Sequence, residues 1–139
     1  MFRLNLTYDG EQHATAQNEP NRNILAIDCP YTGKGEEFSP ASLLSVSLAS
    51  CMLLSMGALA QRDGLDLKGT VVDISFTGME KRLPHVDTIT LVFNIPCDFA
   101  KVDRKKLERA AGLCPIMASI DEHTAVTSEF RYGVSKAAG

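Results

Sequence analysis

Tryptophan is absent from this sequence and aromatic residues make up only 6% of it, so flat side chains for a nucleobase-stacking platform are scarce. An excess of either charge is missing too. Fourteen Lys and Arg stand against 17 Asp and Glu, scattered singly, which leaves no electrostatic footprint for nucleic acid or for an anionic membrane surface. The cysteines, at 29, 51, 97 and 114, include no CxxC and have no close histidine, which argues against a zinc site. No metal and no cofactor is expected. The opening MFRLNLTYDG lacks a basic region followed by an apolar core, so a secretory signal is not expected and a cytoplasmic location is the default. In a reducing compartment the cysteines need not be structural disulfides. With 139 residues and no low-complexity tract, the chain is expected to form one domain, 1–139.

Charge is also missing from one long stretch, Phe38 to Ala60, which is 23 residues of FSPASLLSVSLASCMLLSMGALA. Ser39 is placed to cap a helix there, Pro40 suits its first position, and Gly64 suits the left-handed residue that ends it. The acidic pair Glu36 and Glu37 precedes the helix, where the macrodipole favours negative charge. Such a helix is long enough to span a bilayer. Six of the 23 residues are serines, however, and those at 42, 45, 47, 50 and 55 fall on every side, leaving no continuous face for lipid. The expectation is a buried helix and no membrane partner. Because a helix without any polar face cannot be covered by one small domain, a homodimer is expected, with the partner shielding the remaining face.

The rest of the chain reads as short elements. Phe2 to Tyr8 alternates Phe2, Leu4, Leu6 and Tyr8 against polar residues, predicting a strand with one buried face, and Asp9-Gly10 predicts a turn into a second strand over 12–17. Ile24 to Asp28 predicts a third. Beyond the long helix, Val71 to Met79 and Thr88 to Ile95 predict an antiparallel pair, since their polar connection is too short for a parallel crossover. Asp103 is the predicted cap of a helix over 104–111, with Gly112 interrupting it, and Pro115 to Ile120 predicts a short helix with Pro115 first. Thr124 to Val134 predicts a last strand, and SKAAG a frayed tail. The fold class is α+β with an antiparallel-rich sheet.

Two cysteines stand out by context. Cys51 lies inside the long helix with Ser47 and Ser55 one turn to either side. Cys114 sits directly before Pro115, where a helix start lowers a thiol pKa. Either could instead be a small buried hydrophobe, and spacing alone cannot show that the two meet. If they do, they make a reversible dithiol, one thiolate attacking an oxidant and the other resolving the sulfenic acid. Cys29 and Cys97 read as incidental, as do His13, His85 and His123.

SPASLLSVSLASCMLLSMGALA resembles the central-helix motif of the OsmC/Ohr family, the osmotically induced protein C and organic hydroperoxide resistance proteins. LERAAGLCPIMASI is similar to that family's helix-kink-helix with a second cysteine before a proline, and the order of elements agrees over nearly the whole chain. The resemblance implies an OsmC-like fold, a sheet wrapped around a long central helix in an intertwined homodimer. It implies thiol-dependent reduction of organic hydroperoxides or hydrogen peroxide in oxidative stress defence, with a dithiol as reductant. By the same resemblance Cys51 is the peroxidatic thiol and Cys114 the resolving one. The family's active members carry a glutamate ten residues before the first cysteine, where this chain has Ala41, and an arginine in the N-terminal hairpin, where it has none. Arg22 and Glu37 are the nearest candidates for those supporting roles. The alternative is a non-catalytic dimer that binds a small apolar or acyl ligand in the groove between subunits.

Overall fold

A computed structural model describes residues 3–134; Phe2, expected to begin the first strand, and the SKAAG tail lie outside the described residues. The chain divides into two compact units, Met1–Leu44 and Ser45–Gly139.

In the first unit, β1 (Leu4–Gly10), β2 (His13–Asn18) and β3 (Ile24–Asp28) form an antiparallel sheet in that order. The Asp9 carboxylate closes the β1–β2 turn by accepting from the Thr15 hydroxyl at 2.6 Å and pairing with the His13 ring at 2.7 Å. Those bonds, Thr15 first, hold it below the usual carboxylate range. The period-two reading of β1 is correct and its predicted burial is not. Leu4, Leu6 and Tyr8 stand opposite Asn18, Ala16 and Ala14, and Ala16 and Ala14 in turn face Leu25 and Ile27. One face of the sheet is thus largely apolar, yet Leu4, Leu6 and Tyr8 are 73%, 65% and 66% exposed. Alternation reports that a face is apolar; what covers it is a separate matter.

β3 ends in Asp28, whose buried carboxylate accepts the backbone N–H groups of Glu36 at 3.0 Å and Glu37 at 3.3 Å. Its own N–H donates to the Phe38 carbonyl at 3.0 Å. The loop is thereby folded back to deliver residue 38 to the start of α1 (Pro40–Asp63). There two serines cap each other: the Ser42 N–H donates to Ser39 Oγ at 3.1 Å and the Ser39 N–H to Ser42 Oγ at 2.8 Å. This is a capping box with serine in place of the usual Glu. At the far end Gly64 has φ +70°, and the Leu65 N–H reaches the Ala60 carbonyl at 2.8 Å, the Schellman arrangement.

α1 buries Ser45, Leu48, Ala49, Met52, Met56 and Ala60, a stripe at helical spacing. By length and composition it could cross a membrane, with a third of its most apolar window buried. Its serines are less polar outward than their count suggests, because Ser50 and Ser55 return their hydroxyls to the carbonyls of Ser47 and Cys51 at 3.0 and 2.8 Å.

The second unit adds a sheet of β4 (Val71–Thr77), β5 (Thr88–Ile95) and β6 (Ala125–Tyr132). β4 and β5 pair antiparallel as predicted, whereas β6 runs parallel to β5. The single antiparallel-rich sheet expected from the pattern is therefore two three-stranded sheets, the second of them mixed. Parallel pairing needs a crossover, and α2 (Lys101–Gly112) with α3 (Pro115–Ser119) supplies it. The core of this unit joins the α1 stripe to fully buried Ile89, Leu91, Phe93 and Ile95 of β5 and to Leu107 and Ala111 of α2. Phe93 stacks on Phe130 at 4.7 Å between ring centroids.

α2 begins earlier than predicted. Its cap is Ala100, which offers no side-chain acceptor, and Asp103 sits inside the first turn. The start is fixed from outside the helix. Arg104 donates Nε to the Phe99 carbonyl at 2.7 Å, pairs with Asp98, and lays its guanidinium 4.6 Å over the Tyr132 ring. The Tyr132 hydroxyl donates to Glu108 at 3.1 Å, and burial together with that carboxylate pushes the phenol pKa up. The start of α2 is thus pinned to the end of β6.

Candidate dithiol site

Both predicted cysteines lie in the second unit. Cys51 is at the middle of α1, half-buried, two turns along from Leu44. Cys114 is the residue between α2 and α3, 1% exposed. α2 ends at Gly112, Leu113 takes the cap position, and Pro115 opens α3, so the chain bends at Cys114 and turns its side chain inward. Its sulfur is the N-cap of α3, accepting the Met117 N–H at 3.2 Å.

The two thiols are neighbours, close enough that Cys51 raises the Cys114 pKa. Neither is in a disulfide. Burial is the largest influence on Cys114 and pushes its pKa above the ordinary thiol value; the Met117 N–H opposes it, and Cys51 adds to it. The expected lowering at a helix start is therefore overturned. α3 has only five residues, too few for a strong dipole, and desolvation wins.

This asymmetry sets an order of reactivity. Iodoacetamide at pH 7.5 is expected to label Cys51 well before Cys114, and labelling of Cys114 is expected to accelerate only above the ordinary thiol range, about pH 8.5. Time-resolved peptide mass spectrometry checks this; equal rates at pH 7.5 would contradict it. The unfolded chain gives up the Cys114 proton first, so this group's contribution to stability is complete below about pH 8.5 and lost as pH rises further.

Of the supporting candidates, Arg22 and Glu37 both belong to the first unit. Arg22 is exposed in the β2–β3 loop with φ +59°, its N–H on the Asn18 carbonyl at 2.7 Å. Glu37 is exposed, and its backbone is held by Asp28. Ala41 lies in the first turn of α1, which contains no acidic residue. Asp28 itself has no part in the sequence reading beyond ending a strand. A charged residue closing an apolar run and followed by Cys-Pro is the signal that was available for it.

Residues 33–129 match the family of OsmC-like proteins. The chain belongs to this family. Its OsmC-like fold recurs across solved structures. A structure from Psychrobacter arcticus 273-4, described in terms of osmotic stress induction and detoxification response, is 27% identical with a TM-score of 0.86, over 94% of this chain and 96% of that one. The OsmC-like protein of Mycoplasma pneumoniae is 13% identical with a TM-score of 0.76, over 95% and 96% of the two chains. The organic hydroperoxide resistance protein OhrB of Bacillus subtilis is 15% identical with a TM-score of 0.67, over 94% and 98%. No curated protein is a significant match. For this OsmC-like chain, the family match spans both motifs that carry Cys51 and Cys114.

Proposed function

We propose that this OsmC-like protein reduces organic hydroperoxides or hydrogen peroxide by a thiol pair, in oxidative stress defence. The observation that supports the reading is the proximity of two free thiols, a half-buried Cys51 and a fully buried Cys114 whose pKa it raises. The Cys51 thiolate attacks the terminal oxygen of ROOH, the O–O bond breaks, the OH stays on sulfur as Cys51 sulfenic acid, and the departing alkoxide takes a proton from solvent to become ROH. The Cys114 sulfur then attacks the Cys51 sulfur, water leaves, and a disulfide forms. A dithiol reductant restores both thiols and departs as its own disulfide. Peroxidatic and resolving roles follow access: oxidant reaches the half-buried sulfur, while the buried one needs only its neighbour.

A thiolate is held by a cation, and a carboxylate orients that cation; Arg22 and Glu37 are the assignments for these tasks on chemistry alone. The same reading makes the protein a cytoplasmic homodimer. Its support is the exposed apolar face of Leu4, Leu6 and Tyr8, together with Leu54 of α1 at 73% exposed. The test is stoichiometric. One equivalent of tert-butyl hydroperoxide added to reduced protein is expected to consume two thiols, at Cys51 and Cys114, and a dithiol is expected to return them. Thiols at 51 and 114 that survive excess hydroperoxide would overturn the reading.

One observation favours the non-catalytic alternative. A groove of about 360 Å³ runs beside the C-terminal half of α1, its apolar side chains Leu54, Ala58, Leu65 and Leu67 accompanied by the polar Gln61 and Asp66. Thermal stabilisation by a fatty-acyl chain, with both thiols unreactive, is the result that reading requires.

A further inference from the structure

Two loops that the proposed chemistry does not use bring a pair of histidines together. His85, in the β4–β5 connection, and His123, just before β6, have ring centroids 5.6 Å apart and planes tilted by 57°. Both backbones are fixed. The Thr124 hydroxyl donates to the Val86 carbonyl at 2.7 Å and the Ala125 N–H to the Asp87 carbonyl at 2.9 Å, tying the two loops one and two residues beyond each histidine. Gly78, with φ +124°, lies so close beneath His85 that a Cβ there would come within 2.7 Å of the His85 carbonyl oxygen.

The ring spacing is compatible with a chelate. Imidazole nitrogens bind a divalent transition ion at about 2.0–2.1 Å, and the ring centre lies about 1.1 Å further out, so two imidazoles on one tetragonal ion stand roughly 4.5 Å apart when adjacent and roughly 6 Å when opposite, limits that bracket the observed spacing. His123 is also oriented for such a role. Its Nδ1 is hydrogen-bonded to Asp121, whose carboxylate takes the His123 backbone N–H at 2.7 Å as well, and this leaves Nε2 free. A carboxylate behind the distal nitrogen is the arrangement that fixes tautomer and ring direction in metal-binding histidines. The same two loops also carry Arg82 and Glu122, and Asp87 paired with Lys81 at 3.8 Å.

We infer that His85 and His123 form a surface site for a borderline divalent transition ion such as Ni2+ or Cu2+, with Asp121 as the positioning residue. Among the described residues no group of three or more His, Cys, Asp or Glu side chains is arranged to hold a metal. Water therefore completes the coordination, and the site is an exchangeable chelate, not a structural centre.

Histidine proton resonances of the full chain, followed while Ni2+ is added at pH 7.5, test this site by site. Paramagnetic broadening of His85 and His123 together at substoichiometric Ni2+, with His13 unaffected, is the expected result. His85→Ala and His123→Ala are each expected to weaken Ni2+ binding at least about tenfold, and Asp121→Asn by about tenfold while both rings still broaden. Asp121 and His123 are exposed and His85 is half-buried, and unchanged thermal unfolding of the variants confirms the fold. Equal broadening of all three histidines, or unchanged affinity in either histidine variant, overturns the inference, since binding then lies elsewhere.

Discussion

Serine at position 51 is expected to bring hydroperoxide turnover down to the rate of the dithiol alone in solution. A hydroxyl does not ionise at neutral pH and has no sulfur to hold the transferred oxygen, so no slower version of the same step is left. Cys114→Ser is expected to behave differently. The first hydroperoxide is still reduced, but only one thiol is consumed, and the sulfenic acid at Cys51 persists long enough to be captured by dimedone. Mass spectrometry of the 51-containing peptide separates the outcomes: no adduct in Cys51→Ser, a sulfenic adduct in Cys114→Ser, and a disulfide to Cys114 in the unaltered protein. The buried site makes the second variant informative. Cys114 is 1% exposed and its sulfur caps α3, so serine, a good N-cap residue of similar size, keeps the Met117 N–H satisfied. Loss of resolution is then chemical, with little structural contribution. Turnover that survives in Cys51→Ser would assign the reaction to another thiol.

Why one half of this site is legible in the sequence and the other is not follows from the range of the forces involved. The start of α1 depends on Ser39, Pro40 and Ser42, all within one turn, and it lies where the pattern places it. β3 and β5 likewise match their predicted bounds, because Val, Ile, Leu and Phe alternation between polar loops is a local signal. α2 starts early because its cap is a backbone geometry secured by Arg104 against Phe99 and Tyr132, and Tyr132 is far away in the chain. The Cys51–Cys114 proximity is of that non-local kind. Two residues more than sixty positions apart come near each other only through the packing of the second unit, and no spacing rule predicts it; the resemblance of the two flanking motifs to a known family is what singled out both cysteines together. The pKa of Cys114 shows the same division. Its place before Pro115 is local and correctly read as an N-cap, whereas the desolvation that reverses the expected shift comes from the surrounding fold.

Leu6→Asp is expected to convert the proposed homodimer into a monomer without unfolding the protomer. Leu6 is 65% exposed, so within one protomer the change resembles an ordinary surface substitution, worth about 0.5 kcal/mol or less. In an isologous dimer that buries this face, each copy would lose the apolar contact of one leucine, about 1.5–3 kcal/mol, and would carry a carboxylate into an unpaired apolar site. Even 2–3 kcal/mol raises the dimer dissociation constant by roughly a hundredfold, and the two-fold repeat applies the penalty twice. Sedimentation equilibrium across a range of concentrations is the measurement, and circular dichroism at the same concentrations reports whether the monomer stays folded. The sheet register sharpens the choice of position. Leu6 stands opposite Ala16, which faces Leu25, placing it at the middle of the apolar face, with Leu4 and Tyr8 on either side. Leu107→Ala is the contrasting case: that side chain is fully buried within the second unit, so truncation is expected to cost about 2–5 kcal/mol of stability. Any effect of Leu107→Ala on association would follow unfolding, whereas Leu6→Asp is expected to separate the two. A Leu6→Asp protein that remains dimeric would place the partner on another face, and the exposed Leu54 side of α1 would then be the surface to substitute.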